Sequence, residues 1–91
     1  MSFEVKRTKQ FRNDMKRMLK RGKDIELLLA IVDKLARDEA LPEANRDHAL
    51  TGNYIGFREC HIEPNWLLVY RKNTSVLILT LMRTGSHSDL F

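Results

Sequence analysis

The sequence predicts a small α+β domain in which an N-terminal strand and two helices pack on an antiparallel sheet that ends in a three-stranded meander. Three observations predict it. Apolar residues recur at helical spacing from Phe11 to Ala36, and β-branched and aromatic residues gather into short runs from Tyr54 onward. Those runs are joined by stretches too short to hold a crossover helix, so neighbouring strands must run antiparallel. Ninety-one residues support one core, and residues 1–91 are read as a single domain.

Each element has its own signal. Phe3 and Val5 alternate with Glu4 and Lys6, the pattern of a short half-buried strand. Thr8 can cap a helix whose apolar stripe is Phe11, Met15, Met18 and Leu19, and Gly22 ends it. Asp24 can cap a second helix carrying Ile25, Leu28, Leu29, Val32, Leu35 and Ala36, with Leu27 and Ile31 widening its buried face. Leu41-Pro42 closes that helix, because proline disfavours helix at the residue before it. Residues from Pro42 to Asn53 read as a polar loop. Phe57 to Ile62, Trp66 to Arg71 and Val76 to Arg83 then read as strands. Glu63-Pro64-Asn65 and Lys72-Asn73-Thr74-Ser75 turn the chain between them.

Composition narrows the class of function. Hydrophobic residues at 43% exclude a mainly disordered chain. The single cysteine, Cys60, can form no internal disulfide and fits a reducing compartment. The N-terminal residues hold no apolar signal core, and the longest aliphatic run, Leu27 to Val32, is too short to span a bilayer. A soluble cytoplasmic protein is expected. Nine of the sixteen Lys and Arg residues fall between Lys6 and Lys23, a density that suits a polyanionic partner as well as it suits a solvated helix face.

The chemistry gathers in the C-terminal half. His48, His61 and His87 all lie there, with Arg83, Trp66 and Phe91. Two histidines can deprotonate a ribose 2′-hydroxyl and protonate the departing 5′-oxygen without a metal, and an arginine can stabilise charge developing on the phosphate. Trp66 is either a core aromatic or a platform for a base. A zinc site built on the three histidines with Asp47 or Asp89 is disfavoured, since spacings of 13 and 26 residues match no metal motif. Cys60, within a strand, reads as a small buried hydrophobe rather than a nucleophile. These residues alone describe a basic α+β domain suited to RNA.

Six separated blocks carry a resemblance: Asp47-His48, Gly52, Phe57 through Trp66, Tyr70, Arg83-Thr84-Gly85-Ser86-His87 and Leu90-Phe91. In that order the sequence resembles the YafQ branch of the RelE/ParE toxin superfamily across nearly its whole length. The resemblance implies a bacterial toxin that cuts mRNA in the ribosomal A site by acid–base chemistry on the 2′-hydroxyl, neutralised by a cognate antitoxin of the DinJ-like ribbon-helix-helix kind. It implies no cofactor and no metal. Carried onto this chain, His87 is the expected general acid, His61 the general base and Arg83 the group on the scissile phosphate. His48 would position substrate or relay a proton. Phe91, Trp66 and Asn65 would place substrate, Glu59 would orient His61, and Lys9, Lys16 and Lys20 would meet ribosomal RNA or an acidic antitoxin segment.

Where this chain has Asn65, the family pattern has aspartate, and an asparagine can hold a turn but cannot serve as a base. Three readings follow: His61 is the base regardless, the enzyme is weaker, or the residue was introduced to permit expression of a toxin. Two other functions on the same fold stay open. ParE-type relatives poison DNA gyrase without this histidine set, and a chain that had lost cleavage could persist as an antitoxin-bound co-repressor.

Overall fold

The computed structural model describes residues 2–91. Its elements run β1 (Glu4–Arg7), α1 (Lys9–Lys20), α2 (Ile25–Ala36), β2 (His48–Ala49), β3 (Arg58–Glu63), β4 (Trp66–Asn73), β5 (Ile78–Gly85) and α3 (His87–Leu90). The five strands form one sheet in the order β1-β5-β4-β3-β2. Pairing is antiparallel from β2 through β5, as the meander requires, and β1 lies parallel to β5 at the edge. The N-terminal strand therefore joins the sheet. No helix among the described residues is long and apolar enough to cross a membrane.

Both helix starts follow the expected capping chemistry. The Thr8 hydroxyl accepts from the Phe11 amide at 3.0 Å and donates to the Met82 carbonyl at 2.8 Å. One side chain thus starts α1 and fastens it to β5, and such a cap contributes about 1 kcal/mol. Asp24 accepts from the Glu26 amide at the start of α2. The core lies between these helices and one sheet face: Phe11, Met18, Leu28, Ile31, Val32 and Leu35 meet Cys60, Trp66, Leu68, Tyr70, Leu79 and Leu81.

Several expectations shift. Leu19, Leu27 and Leu29 are exposed, while Asp14 is 2% exposed within the α1 stripe. Both helices bury a narrower face than their apolar content suggested. The stretch read as a loop holds two 3-10 turns, Glu43–Asn45 and Gly52–Tyr54, and the two-residue strand β2. A strand that short carries no periodic signal and forms because β3 offers it a partner. The β4–β5 turn begins later than expected: Asn73 caps the Ser75 amide, and Val76 and Leu77 belong to the turn. After Gly85 the chain forms α3, an element for which the sequence analysis names no signal.

Two bulges decide which side chains share a face. Between Val69 and Tyr70 the register with β5 slips by one, so that Tyr70 pairs with Leu81 and Val69 with Arg83. The extra residue, Met82, moves Arg83 onto the side away from the helices. A second shift between His61 and Glu63 leaves Ile62 without a paired position and keeps His61 level with Leu67.

Candidate active site

Cross-strand register builds the site on the sheet face opposite the helices. One row of paired positions reads His48, Glu59, Val69, Arg83 across β2, β3, β4 and β5. The next reads His61, Leu67, Gly85. Paired residues share a face, so His48, Glu59, His61 and Arg83 are all presented to one side. The first row spans three strand spacings, about 15 Å from end to end.

Arg83 is held by a residue that the sequence reading passed over. Its Nε donates to Asp14 Oδ2 at 2.7 Å and its Nη2 to Oδ1 at 3.2 Å, while the Thr84 amide donates to Oδ2 at 3.1 Å. Asp14 raises the Arg83 pKa further above its already high value, so the guanidinium is a permanent cation of fixed direction. The signal was present in the sequence: Asp14 sits three residues after Phe11 and four before Met18, a carboxylate inside an apolar stripe. Such a group is buried only when paired.

His87 opens α3, and its ring centroid lies 5.4 Å from that of Phe91, which meets Tyr54 edge-on at 5.2 Å. Tyr54 is not singled out from the sequence, although it is the first aromatic residue after Phe11 and follows the polar loop directly. Asp89 fixes α3: it accepts from the Ser86 amide at 2.8 Å and takes a two-pronged ion pair from Arg21. Hydrogen bonds from Arg21 and Ser86 hold its carboxyl well below the usual carboxylate range. Gly85 admits this packing, since a Cβ there would meet Asp89 Oδ2 at 2.9 Å on a backbone with φ +158°. Asn65, at the β3–β4 turn, accepts from the His87 amide at 3.2 Å. Its side chain supports the start of α3.

The remaining histidines are oriented by acceptors. His61 Nδ1 lies 3.1 Å from the Pro64 carbonyl, which can only accept. That bond places the proton on Nδ1 and leaves Nε2 as the lone-pair nitrogen of the neutral ring. His48 Nδ1 lies 2.6 Å from the Arg46 carbonyl and its Nε2 3.2 Å from Glu59 Oε2, so both ring nitrogens face acceptors. Asp47 anchors the segment by accepting from Tyr70 and from Arg58 Nε. Burial, followed by the Asp47 contact, pushes the Tyr70 hydroxyl well above its ordinary value.

Two expectations are corrected here. Glu59 orients His48 rather than His61, because β2 brings His48 directly opposite it. Glu59 is itself buried, and its Oε1 has no hydrogen-bond partner among the described residues. Trp66 is 0% exposed and donates its indole N–H to Thr84 Oγ1 at 2.9 Å, so it is a core aromatic with no free face for a base. His61 and Arg83 share a sheet face but not a cavity. Arg83 lines one of about 290 Å³ with Gln10, Tyr54, Phe57, Val69 and Met82. His61 lines another of about 390 Å³ with Asn45, Arg46 and Pro64.

Of the basic cluster, Lys9, Lys16 and Lys20 are exposed on α1 and make no ion pair among the described residues. Arg17 and Arg21 are turned toward Asp89, and Lys23 pairs with Glu63 at 2.9 Å. Cys60 is fully buried, and burial pushes its thiol up to about 12, which removes it as a nucleophile. Among the described residues no three His, Cys, Asp or Glu side chains gather into a metal-binding group.

Comparison with known proteins agrees with this architecture. Residues 3–91 match the family described as the bacterial toxin of type II toxin-antitoxin system, YafQ. The mRNA interferase toxin YafQ of Escherichia coli is 34% identical over 89 residues, covering 97% of this chain and 95% of that protein. A metal-bound toxin from Helicobacter pylori superposes with a TM-score of 0.92 at 40% identity, covering 98% of this chain and 99% of the other. The structure of the E. coli DinJ–YafQ toxin–antitoxin complex contains a chain with a TM-score of 0.90 at 33% identity, covering 100% of this chain and 99% of that one. Together with the match along residues 3–91, these likenesses make the chain a member of the YafQ family of type II toxin–antitoxin toxins.

Proposed function

We propose that this chain is a ribosome-dependent endoribonuclease that cleaves mRNA in the A site without a metal, using the 2′-hydroxyl as internal nucleophile. A base removes the 2′-hydroxyl proton, the 2′-oxygen attacks the adjacent phosphorus, and the 5′-oxygen leaves with a proton from the acid. The products are a 2′,3′-cyclic phosphate and a free 5′-hydroxyl. The observation that carries the reading is the presentation of an arginine, two oriented histidines and a carboxylate on one sheet face by the registers of β2 to β5. Arg83, fixed by Asp14, would stabilise the charge gathering on the phosphate. His87, its ring tilted against that of Phe91, would protonate the leaving oxygen, and His61 would take the 2′-proton at Nε2.

A second assignment of the base is favoured by Glu59. Its Oε1 is a buried acceptor without a partner, in the same row as Arg83, with His48 bracing the other oxygen. Under that reading Glu59 takes the proton and His48 relays it. Glu59→Gln and His61→Ala separate the two, since only the true base costs several powers of ten in rate at unchanged mRNA binding.

The antitoxin is proposed to be DinJ-like, from the complex formed by the E. coli relative. Lys9, Lys16 and Lys20 are the unpaired cations proposed to meet ribosomal RNA, or an acidic antitoxin segment in the silent state. The deciding experiment follows cleavage of an mRNA on programmed ribosomes, with and without a 2′-deoxy nucleotide at the scissile position and with a chelator present. Cleavage that survives the chelator, vanishes on the deoxy substrate and is lost in His87→Ala and Arg83→Ala supports the mechanism. Cleavage of the deoxy substrate, or full activity in both variants, refutes it.

A further inference from the structure

We infer that the cavity beside Arg83 seats one nucleobase of the RNA and that the Gln10 carboxamide reads the edge of that base. The inference rests on the ribonuclease reading and adds a specificity-determining residue to it. The cavity holds about 290 Å³ and is lined by Gln10, Tyr54, Phe57, Val69, Met82 and Arg83. Small-molecule pockets begin near 300 Å³, so this one suits a single planar ring system.

Its walls divide by chemistry. Tyr54 and Phe57 offer aromatic faces, and Val69 and Met82 complete an apolar lining on which any base can pack. Arg83 supplies the cation for the neighbouring phosphate. Asp14 takes its Nε and Nη2, and Nη1 has no partner among the described residues. Tyr54 links the cavity to the proposed acid, since Tyr54 meets Phe91 and Phe91 lies against His87. Gln10, on the first turn of α1, contributes the only carboxamide in the lining. An amide oxygen beside an amide nitrogen matches a base edge that offers a donor next to an acceptor.

Changing the donor pattern at this one position should therefore change which base is chosen. The test compares the unaltered chain with Gln10→Ala, Gln10→Glu and Gln10→Lys on ribosome-bound mRNA with a randomised A-site codon, reading cut sites by primer extension. Gln10→Ala is expected to flatten the preference at one codon position by about tenfold, the size of one good base contact. Gln10→Glu, which only accepts, should move the preference away from uracil and toward the three bases whose exocyclic amines donate. Gln10→Lys, which only donates, should move it toward guanine and uracil.

In parallel, the isotope-labelled chain is titrated with short single-stranded oligodeoxynucleotides. The Gln10 side-chain amide and the Met82 methyl resonances are expected to shift. Unchanged cut-site preference in all three variants, with the Gln10 amide unmoved, overturns the inference and leaves the ribonuclease reading standing. Resonance shifts confined to the His61 cavity overturn it as well. Shifts at Gln10 and Met82 in a chain that cuts no ribosomal mRNA uphold the base seat and overturn the ribonuclease reading. A chain that neither cuts nor shifts loses both.

Discussion

Replacing Asp14 with alanine removes one buried carboxylate and strands three donors at once. The Thr84 amide loses its acceptor at 3.1 Å, and Arg83 loses bonds of 2.7 and 3.2 Å. Thr84 is fully buried, and an orphaned buried amide costs about 1–3 kcal/mol. The guanidinium loses less, because the Arg83 side chain is 30% exposed and water can solvate it; about 0.5–1 kcal/mol is expected after that screening. The whole change is about 2–4 kcal/mol, which for a domain of this size lowers Tm by about 10–25 °C. Asp14→Asn keeps one acceptor oxygen and should lose about half as much.

Thermal unfolding followed by circular dichroism measures the stability, and cleavage per folded molecule, assayed well below the midpoint, measures the site. Cleavage by Asp14→Ala should fall toward that of Arg83→Ala, because the guanidinium is present but no longer aimed. The double variant Asp14→Ala/Arg83→Ala should be little less stable than Asp14→Ala alone. Additive losses in that cycle, or a single-variant Tm within about 2 °C of the unaltered chain, would show that Asp14 does not hold the site together.

Three further outcomes are expected. Asp89 is a depressed carboxylate, so the stability it confers is complete above the unfolded carboxylate value of about 4 and is lost as pH falls from there toward the lower folded value. Asp89→Asn should abolish that part of the acid-unfolding curve, and an unchanged curve would remove the Arg21–Asp89 tether from the account. Trp66→Phe should lower stability by about 1–3 kcal/mol through the lost Thr84 bond and a residual void. Cleavage per folded molecule should be unchanged, and a large loss there would return Trp66 to the substrate. Asn65→Asp keeps the acceptor for the His87 amide and should retain activity, whereas Asn65→Leu should lower it by about tenfold by releasing α3. Equal activity in both variants would mean that Asn65 does not position His87.

Much of the fold was legible because it rests on local rules. Thr8 and Asp24 cap the helices they precede, and the runs after Tyr54 form an antiparallel meander. Side-chain burial was less legible. Helical spacing marked Leu19, Leu27 and Leu29 as core, but the sheet covers only one stripe of each helix. Motif blocks identified His48, His61, Arg83, His87 and Phe91 as candidates, since residue type and order are properties of the chain.

The linear sequence by itself determined the two long helices, the strands of the meander, the basic first helix and the family, all of which depend on neighbours or on residue identity. Tertiary structure alone decided which side chains meet. The Met82 bulge turns Arg83 onto the face of Glu59, Asp14 on α1 grips Arg83 across 69 positions, and Trp66 is sealed in the core by Thr84. Those facts depend on strand register and on helix-to-sheet docking. A one-residue slip reverses every side chain of a strand, and no local pattern records where a slip occurs.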